Sequence, residues 1–265
     1  MERIKEKKLF LFDMDGTLYR GENIFDFTAE LLQTIRAVGG RYCFLTNNSS
    51  KSVSAYIEKL ARFGIPSERE DFMTSLQATA YYLKQKHPGA NLYVCGTRSM
   101  QEELEGWGFT VTQDVQRTDV VVVGTDFEMD AKKISDISEL LCTRDIPYYG
   151  TNPDMTCPTE FGRVPDCGSI CQMFYNVSKK MPEYIGKPTP LMPQIVMEKW
   201  GYTPDEAVFI GDWIGTDIKC GLNTGMLTVL VMSGETTPEL LAASPDKPHI
   251  VAADCGEMLK MLKTI

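Results

Sequence analysis

Histidine is scarce in this chain of 265 residues, which contains only two, His87 and His249. They lie far apart in the sequence, and both are distant from the one cluster of cysteines, Cys157, Cys167 and Cys171. A structural zinc site needs four such ligands close together, so this cluster lacks its fourth. The sequence therefore favours cysteines buried as small apolar side chains over a zinc centre.

Disulfide frameworks and membrane spans are also missing. The eight cysteines are scattered from Cys43 to Cys255 without close pairs, and the first residues contain no apolar stretch like that of a signal peptide. Free thiols and a cytoplasmic location are therefore expected. Apolar runs such as residues 120–123 and 226–232 are far too short to cross a bilayer, so we predict no membrane partner.

Positive charge is in short supply as well. Lysine and arginine number 27 against 36 aspartates and glutamates, the formal charge is -9, and no basic cluster is longer than the stretch from Arg3 to Lys8. The field that attracts nucleic acid or anionic lipid is absent, and we predict no nucleic-acid partner. An anionic ligand such as a phosphate would need a local cation.

Apolar runs of strand length alternate with segments of helical period along almost the whole chain. This pattern builds parallel sheets from strand-helix-strand units, so the predicted fold class is α/β. The predicted strands are residues 8–13, 42–46, 92–95, 120–124, 147–150, 183–186, 207–211 and 226–232. The main predicted helices are residues 27–38, 52–63 and 134–142, and glycines close the first two.

Polar residues follow four of these apolar runs. Asp13 and Asp15 follow the first strand, Thr46 and Asn47 the second, Lys187 follows residues 184–186, and Asp212 and Asp217 follow residues 207–211. The ligand crevice of such sheets lies beyond the carboxyl ends of the strands, so these side chains should form one site. Singly, each also suits a turn or a helix cap.

Four carboxylates in one site require cations. At about 4 Å, each like-charge pair is unfavourable by roughly 4 kcal/mol at an effective dielectric near 20. Lys187 can supply one positive charge, and the hard oxygen ligands favour magnesium over zinc. A calcium loop starting at Asp13 is disfavoured, because no glycine stands at the sixth place and no glutamate at the twelfth.

These motifs carry a family resemblance. Asp13-Met14-Asp15-Gly16-Thr17, Thr46-Asn47, Lys187 and Gly211-Asp212-x-x-x-Thr216-Asp217 resemble the four ordered motifs of the haloacid dehalogenase (HAD) superfamily. Gly150-Thr151-Asn152-Pro153-Asp154, Pro158-Thr159-Glu160-x-Gly162, Gly168-Ser169-Ile170 and Gly186-Lys187-Pro188 resemble its NagD-like, p-nitrophenyl phosphatase branch. The resemblance implies a Rossmann-like parallel-sheet core, residues 1–76 and 181–265, with an inserted α/β cap of the C2 type (class IIA) at residues 77–180.

The same resemblance implies a magnesium-dependent phosphatase that hydrolyses small phosphomonoesters, such as nucleotide phosphates, sugar phosphates and p-nitrophenyl phosphate. Asp13 would be the nucleophile that forms an aspartyl phosphate, and Asp15 the acid and then the base. For these roles Asp13 must be ionised and Asp15 must have a raised pKa.

Further roles are implied for the remaining motif residues. Thr46, Asn47 and Lys187 would bind the phosphoryl group, with Thr216 as a weaker candidate that equally suits a helix cap. Mg²⁺ would be held by Asp13, the backbone carbonyl of Asp15 and Asp212, with Asp217 orienting its waters or Lys187. Asn152 and Asp154 either contact the substrate from the cap or form a turn.

One loop departs from the family pattern, and two other functions share the motifs. Trp213-Ile214-Gly215 stands where relatives often carry polar or basic residues, which leaves the substrate range open. A phosphotransferase or mutase could use the same catalytic residues, and a non-catalytic phosphometabolite-binding regulator could keep the fold. The expected partner is a small phosphorylated metabolite, and the sequence leaves a homodimer open.

Overall fold

The computed structural model describes residues 4–159 and 161–263. Arg3 of the basic stretch and Glu160 of the second group of motifs lie outside these ranges. The described chain forms two compact units, the first from residues 4–46, 57–73 and 187–263, the second from residues 47–56 and 74–186. A core at 1–76 and 181–265 with a cap at 77–180 stays a prediction.

Strands alternate with helices along the described residues. The strands are β1 (Leu9–Phe12), β2 (Tyr19–Arg20), β3 (Asn23–Ile24), β4 (Arg41–Thr46), β5 (Phe72–Thr74), β6 (Asn91–Cys95), β7 (Thr110–Val111), β8 (Val120–Val123), β9 (Tyr148–Gly150), β10 (Thr156–Thr159), β11 (Gly162–Pro165), β12 (Glu183–Tyr184), β13 (Ala207–Gly211), β14 (Leu227–Val231) and β15 (Ile250–Ala252). The α-helices are α1 (Thr28–Ala37), α2 (Val53–Arg62), α3 (Ser75–Lys86), α4 (Arg98–Gly106), α5 (Ala131–Thr143), α6 (Cys167–Ser178), α7 (Leu191–Trp200), α8 (Lys219–Thr224), α9 (Pro238–Ala243) and α10 (Cys255–Lys263).

A six-stranded sheet forms the centre of the first unit, in the order β15-β14-β13-β1-β4-β5. β1 pairs in parallel with β13 on one side and with β4 on the other. Every residue of β1, β13 and β14 is buried, as expected for parallel strands whose two faces are both covered. This parallel α/β sheet confirms the predicted fold class.

The second unit has its own parallel sheet, in the order β12-β9-β8-β6-β7. α5 and α6 pack on it through a core that includes Tyr93, Val121, Ile137 and Phe174. The four consecutive valines of β8 are all buried, which explains why this short run forms a central strand.

The predicted strands and helices lie close to the observed ones, but two details differ. β12 covers only Glu183–Tyr184 and pairs with β9 of the second unit, although the pattern had suggested a longer strand of the same series as β13. The antiparallel hairpins β2–β3 and β10–β11 were not predicted, and neither were the short strands β5, β7 and β15. The two hairpins are exposed or short, so neither gives the apolar run that marks a buried strand.

The cysteines are all free thiols, as predicted. Cys167 and Cys171 are buried on α6, whereas Cys157 is only partly buried on the hairpin, so burial describes two members of the cluster rather than three. None of the helices in the described part of the chain is long and apolar enough to cross a membrane.

Candidate active site

Asp13 follows β1 directly, at the carboxyl end of the central strand of the first sheet. Its backbone N–H continues the pairing with β13 by donating to the Ile210 carbonyl at 2.8 Å. The side chain is only 14% exposed. Pairing on both sides of β1 therefore fixes the backbone that carries this carboxylate.

Lys187 neutralises part of the charge around Asp13. Its Nζ donates to Asp13 Oδ1 at 2.6 Å, to Asp217 Oδ1 at 2.8 Å and to the Leu45 carbonyl at 3.1 Å. All three donor positions of the ammonium are thus used, and the side chain is 2% exposed. The ammonium joins the ends of β1 and β4 to the turn after β13.

The route by which Lys187 reaches the site corrects the sequence argument, which placed it at the end of a strand in the same sheet. The preceding strand, β12, belongs to the sheet of the second unit. Lys187 itself is the first residue of the returning chain of the first unit. Its long side chain, rather than a strand end, places the ammonium beside Asp13.

Asp212 is held on both of its carboxylate oxygens. The Glu235 N–H donates to Oδ2 at 2.7 Å, and the hydroxyl of the fully buried Thr17 donates to Oδ1 at 3.3 Å. Gly16 has φ +86°, and a Cβ there would fall 2.5 Å from Asp212 Oδ2. Glycine is therefore required at this turn both for its backbone conformation and for space.

The loop after β14 is a part of the site that the sequence reasoning missed. Ser233 Oγ donates to the Gly16 carbonyl at 2.6 Å, and a Cβ on Gly234 would fall 1.8 Å from Asp212 Oδ2. The loop therefore lies directly against the carboxylate. Its signal was the segment Ser-Gly-Glu directly after the apolar strand β14, which is a polar segment at a strand end like those after β1 and β13.

A π-helical turn, Ile214–Ile218, orients Asp217. Asp217 Oδ2 accepts from the Trp213 N–H at 2.9 Å, and a Cβ on Gly211 would fall 2.3 Å from the Asp217 Cβ. Thr216 lies within this turn rather than at the N-cap of α8, and its hydroxyl is 3.5 Å from Asp217 Oδ1. The cap interpretation of Thr216 is therefore wrong, since Ile218 is the N-cap residue.

Burial and mutual repulsion govern the acidity of these groups. Burial raises the pKa of Asp13 well above its ordinary value. The ammonium of Lys187 lowers this pKa, whereas the carboxylates of Asp217 and Asp212 raise it further. Burial, followed by Asp217, raises the pKa of Asp212 to about 7. Burial lowers the pKa of Lys187, but Asp13 and Asp217 outweigh it and raise the pKa above its ordinary range.

Asp13, Asp212 and Asp217 form a candidate metal site. One oxygen from each carboxylate lies within 4.8 Å of the others. Three carboxylates beside one ammonium leave two negative charges uncompensated when all are ionised, which matches a divalent cation. The donors are all hard oxygens, the ligand type that Mg²⁺ prefers.

Asp15 lies apart from this group. Its side chain is exposed, and Oδ1 accepts from the Gly21 N–H at 3.4 Å. The backbone of Asp15 forms an isolated β-bridge with Tyr19, which closes the turn after Asp13. The structure therefore joins Asp13 to Lys187, Asp212 and Asp217, and leaves the side chain of Asp15, two residues after Asp13, facing solvent.

The remaining predicted residues fall into two places. Thr46 is buried at the end of β4 in the first unit. Asn47, the next residue, belongs to the second unit, where its side-chain Nδ2 donates to Asp154 Oδ2 at 2.7 Å. Asn152, fully buried in the same unit, donates from Nδ2 to the Asn47 carbonyl at 2.7 Å. The structure thus groups Asn47 with Asn152 and Asp154.

Comparison with known proteins identifies the family of this chain. Residues 10–110 match the family described as haloacid dehalogenase-like hydrolase, and residues 184–258 match a HAD-hydrolase-like family. The acid sugar phosphatase of Staphylococcus aureus (strain USA300) is 32% identical over 260 residues, which cover 98% of this chain and 100% of that protein. The chain belongs to the haloacid dehalogenase-like hydrolases.

Solved structures of this hydrolase family have the same fold over almost the whole chain. The 4-nitrophenylphosphatase from Thermotoga maritima superimposes with a TM-score of 0.94 at 32% identity, and covers 98% of this chain and 99% of its own. NagD from E. coli K-12 has a TM-score of 0.86 at 28% identity, covering 95% and 98%. The predicted resemblance to the NagD-like, p-nitrophenyl phosphatase branch is therefore confirmed.

Proposed function

We propose that this hydrolase, a phosphatase of small phosphomonoesters, depends on Mg²⁺ and forms an aspartyl phosphate on Asp13. The observation that carries the proposal is the buried cluster around Asp13. A nucleophilic carboxylate at a strand end is fixed by the ammonium of Lys187 at 2.6 Å, among acidic groups whose charge requires a further cation. This arrangement supports phosphoryl transfer, which needs positioning and positive charge more than acid-base strength.

In the first step, a carboxylate oxygen of Asp13 attacks the phosphorus atom of the substrate. The bond between phosphorus and the leaving oxygen breaks, and Asp15 donates a proton to that oxygen, which leaves as an alcohol. The exposed position of Asp15 suits a group that must meet the leaving oxygen. The products of this step are the alcohol and the aspartyl phosphate.

In the second step, water attacks the phosphorus of the aspartyl phosphate. Asp15, now ionised, takes a proton from this water, and the bond between phosphorus and Asp13 breaks. Inorganic phosphate leaves, Asp13 is again a carboxylate and Asp15 is again an acid. Protons and atoms therefore balance over one turnover.

Positive charge is supplied by two groups. Lys187 lies within hydrogen-bond distance of the nucleophile and would neutralise charge on the transferring group. Mg²⁺, held by Asp13, Asp212 and the Asp15 carbonyl, would keep the acidic side chains ionised and offset the charge of the phosphate. Asp217 would orient Lys187, to which it is bonded at 2.8 Å. Thr46, Asn47 and Thr216 remain proposed contacts of the phosphoryl group.

The proposed substrates include sugar phosphates and p-nitrophenyl phosphate. Support comes from relatives named acid sugar phosphatase and 4-nitrophenylphosphatase, both 32% identical and matching at least 98% of this chain. The cytoplasmic location and the absence of nucleic-acid and membrane partners stay predictions, and a homodimer stays open.

The test is Asp13→Asn, assayed by phosphate release from p-nitrophenyl phosphate with added Mg²⁺. The amide keeps the shape but removes the nucleophile, so we expect kcat/KM to fall by at least about a thousandfold. Acid-quenched wild-type enzyme should carry phosphate on Asp13 after mixing with labelled substrate. Asp26→Asn, the same change at an exposed aspartate of the first unit, is the control and should leave turnover unchanged.

Three results would contradict the proposal. Turnover by Asp13→Asn at the wild-type rate would remove Asp13 from the chemistry, and full activity after chelation of divalent cations would remove Mg²⁺. Transfer of the phosphoryl group to a second sugar hydroxyl instead of water would show a mutase.

A further inference from the structure

The backbone of Asn47 is fixed by two side chains of the second unit. Its carbonyl oxygen accepts from Asn152 Nδ2 and from Ser75 Oγ, each at 2.7 Å. Asn152 and Ser75 are both fully buried. Buried hydrogen bonds of this kind are stronger than exposed ones and tie the backbone to one position.

The side chain of Asn47 is fixed by Asp154. Asn47 Nδ2 donates to Asp154 Oδ2 at 2.7 Å, a distance typical of charge-assisted hydrogen bonds. Asp154 is itself placed by its backbone N–H, which donates to Asn152 Oδ1 at 3.0 Å. The segment from Asn152 to Asp154 therefore holds both the backbone and the amide of Asn47.

The opposite end of the amide is closely packed. A Cβ on Gly186 would fall 2.6 Å from Asn47 Oδ1 and 2.5 Å from the Thr151 carbonyl, so only glycine allows the chain to pass here. Asn47 is 8% exposed. The oxygen of the amide faces Gly186, and the nitrogen faces Asp154.

The identity of the partner matters because a terminal amide is nearly symmetric in shape. Rotation by half a turn exchanges its oxygen and nitrogen, and the torsion that controls this has two broad minima. An ionised carboxylate can only accept hydrogen bonds, so Asp154 favours the orientation in which the nitrogen faces it. Without Asp154, the Asn47 amide could rotate so that its oxygen faces the anionic phosphoryl group. The amide oxygen and the anion would then repel each other.

We propose that Asp154 is a positioning residue for Asn47. Its carboxylate selects the orientation of the Asn47 amide that can donate to a phosphoryl oxygen, and it acts through Asn47 rather than by touching the substrate. The proposal rests on the proposed function, in which Asn47 binds the phosphoryl group. It assigns Asp154 a role other than the predicted substrate contact.

The first test compares substitutions of Asp154. Asp154→Ala should lower kcat/KM for p-nitrophenyl phosphate by about ten- to a hundredfold, because a charge-assisted hydrogen bond is lost. Asp154→Asn can still accept through its own oxygen and should retain more activity than the alanine variant. Asp145→Ala, the same change at an exposed aspartate of the second unit, should leave kcat/KM unchanged. Thermal unfolding should show that all three variants are folded.

The decisive test is a double-mutant cycle with Asn47→Ala. If Asp154 acts through Asn47, then Asp154→Ala should have no further effect on kcat/KM once Asn47 is alanine. The same loss in both backgrounds would show that Asp154 acts directly on the substrate or on the fold, and would overturn the proposal. A purely structural role would also lower the unfolding temperature in both backgrounds.

Failure of this proposal can be told apart from failure of the proposed function. If Asn47→Ala keeps full kcat/KM while Asp13→Asn is inactive, the phosphatase mechanism stands and the positioning role fails. If Asp13→Asn is fully active, the proposed mechanism fails and the positioning role fails with it.

Discussion

Each of the two units buries a lysine against aspartate, and the two sites differ in charge. In the second unit, Lys133 Nζ donates to Asp126 Oδ2 at 2.8 Å and to the Gly96 and Glu128 carbonyls at 3.1 and 3.3 Å. In the first unit, Lys187 faces the two carboxylates of Asp13 and Asp217.

Charge balance separates a structural pair from a reactive site. The pair of Lys133 with Asp126 is neutral and fully hydrogen-bonded, and its side chains are 9% and 0% exposed. It joins the loops that follow β6 and β8. Around Lys187, three carboxylates lie beside one ammonium, so the site carries a net negative charge that a divalent cation would neutralise. Equal numbers of buried positive and negative charges therefore indicate a structural ion pair. An excess of one sign indicates a site that binds a counter-ion.

The largest effect expected from this comparison is on stability. Lys133→Met removes the ammonium that pairs with one buried carboxylate, and Lys187→Met removes the ammonium shared by two. Each change should lower the free energy of unfolding by about 3–5 kcal/mol. Added Mg²⁺ should stabilise Lys187→Met more than it stabilises the wild type, because more uncompensated charge remains at the metal site. Urea unfolding with and without Mg²⁺ measures this. An equal extra response of Lys133→Met to Mg²⁺ would remove the distinction between the sites.

The second effect is a pH dependence of the metal-free protein. Burial and Asp217 raise the pKa of Asp212 to about 7, so between about pH 4 and pH 7 the folded state binds a proton that the unfolded state releases. The contribution of Asp212 to stability is therefore fully present near pH 4 and is lost as the pH rises towards 7. Its size is up to about 4 kcal/mol.

The difference between wild type and Asp212→Asn isolates this contribution. In chelator, the stability of the variant relative to the wild type should increase as the pH rises from 4 to 7, and saturating Mg²⁺ should abolish that trend. A constant difference across this range would show that Asp212 has no raised pKa.

The smallest effect concerns a hydroxyl that supports the metal site. Thr17→Val removes the hydrogen bond to Asp212 Oδ1 at 3.3 Å and should weaken Mg²⁺ binding by about tenfold in calorimetric titration. Thr79→Val removes a buried hydroxyl that donates to the Ser75 carbonyl of the second unit, and should leave Mg²⁺ affinity unchanged. Equal affinity of Thr17→Val and wild type would show that this hydroxyl does not orient Asp212.

Much of the first sheet could be predicted from the sequence. The apolar runs of β1 and β13 are buried on both faces, and such runs can form little else when bounded by turn residues. The polar residues after them, Asp13 and Asp212, were consequently predicted to belong to one site. The two hairpins could not be found in this way, since β2–β3 and β10–β11 bury too little apolar surface to leave a pattern.

Contacts between distant segments were beyond the sequence pattern. Thr17 and Asp212 are 195 residues apart, and Asn47 and Asp154 are 107 residues apart. Periodicity reports only on neighbours within one helix or strand, so it assigns no partner to any of these side chains. Lys187 shows the same limit, because its residue type was recognised but the path of the chain that carries it was not.

The sequence by itself determined the α/β class, because alternating apolar runs allow few folds. It also supplied the residue types of the site, because the motifs that carry them resemble those of the haloacid dehalogenase superfamily. The tertiary structure decided which carboxylates share one ammonium, that the Glu235 N–H holds Asp212, and that the Asn47 amide donates to Asp154. Hydrogen bonds and charge pairs depend on distances of about 3 Å, and only the folded chain sets those.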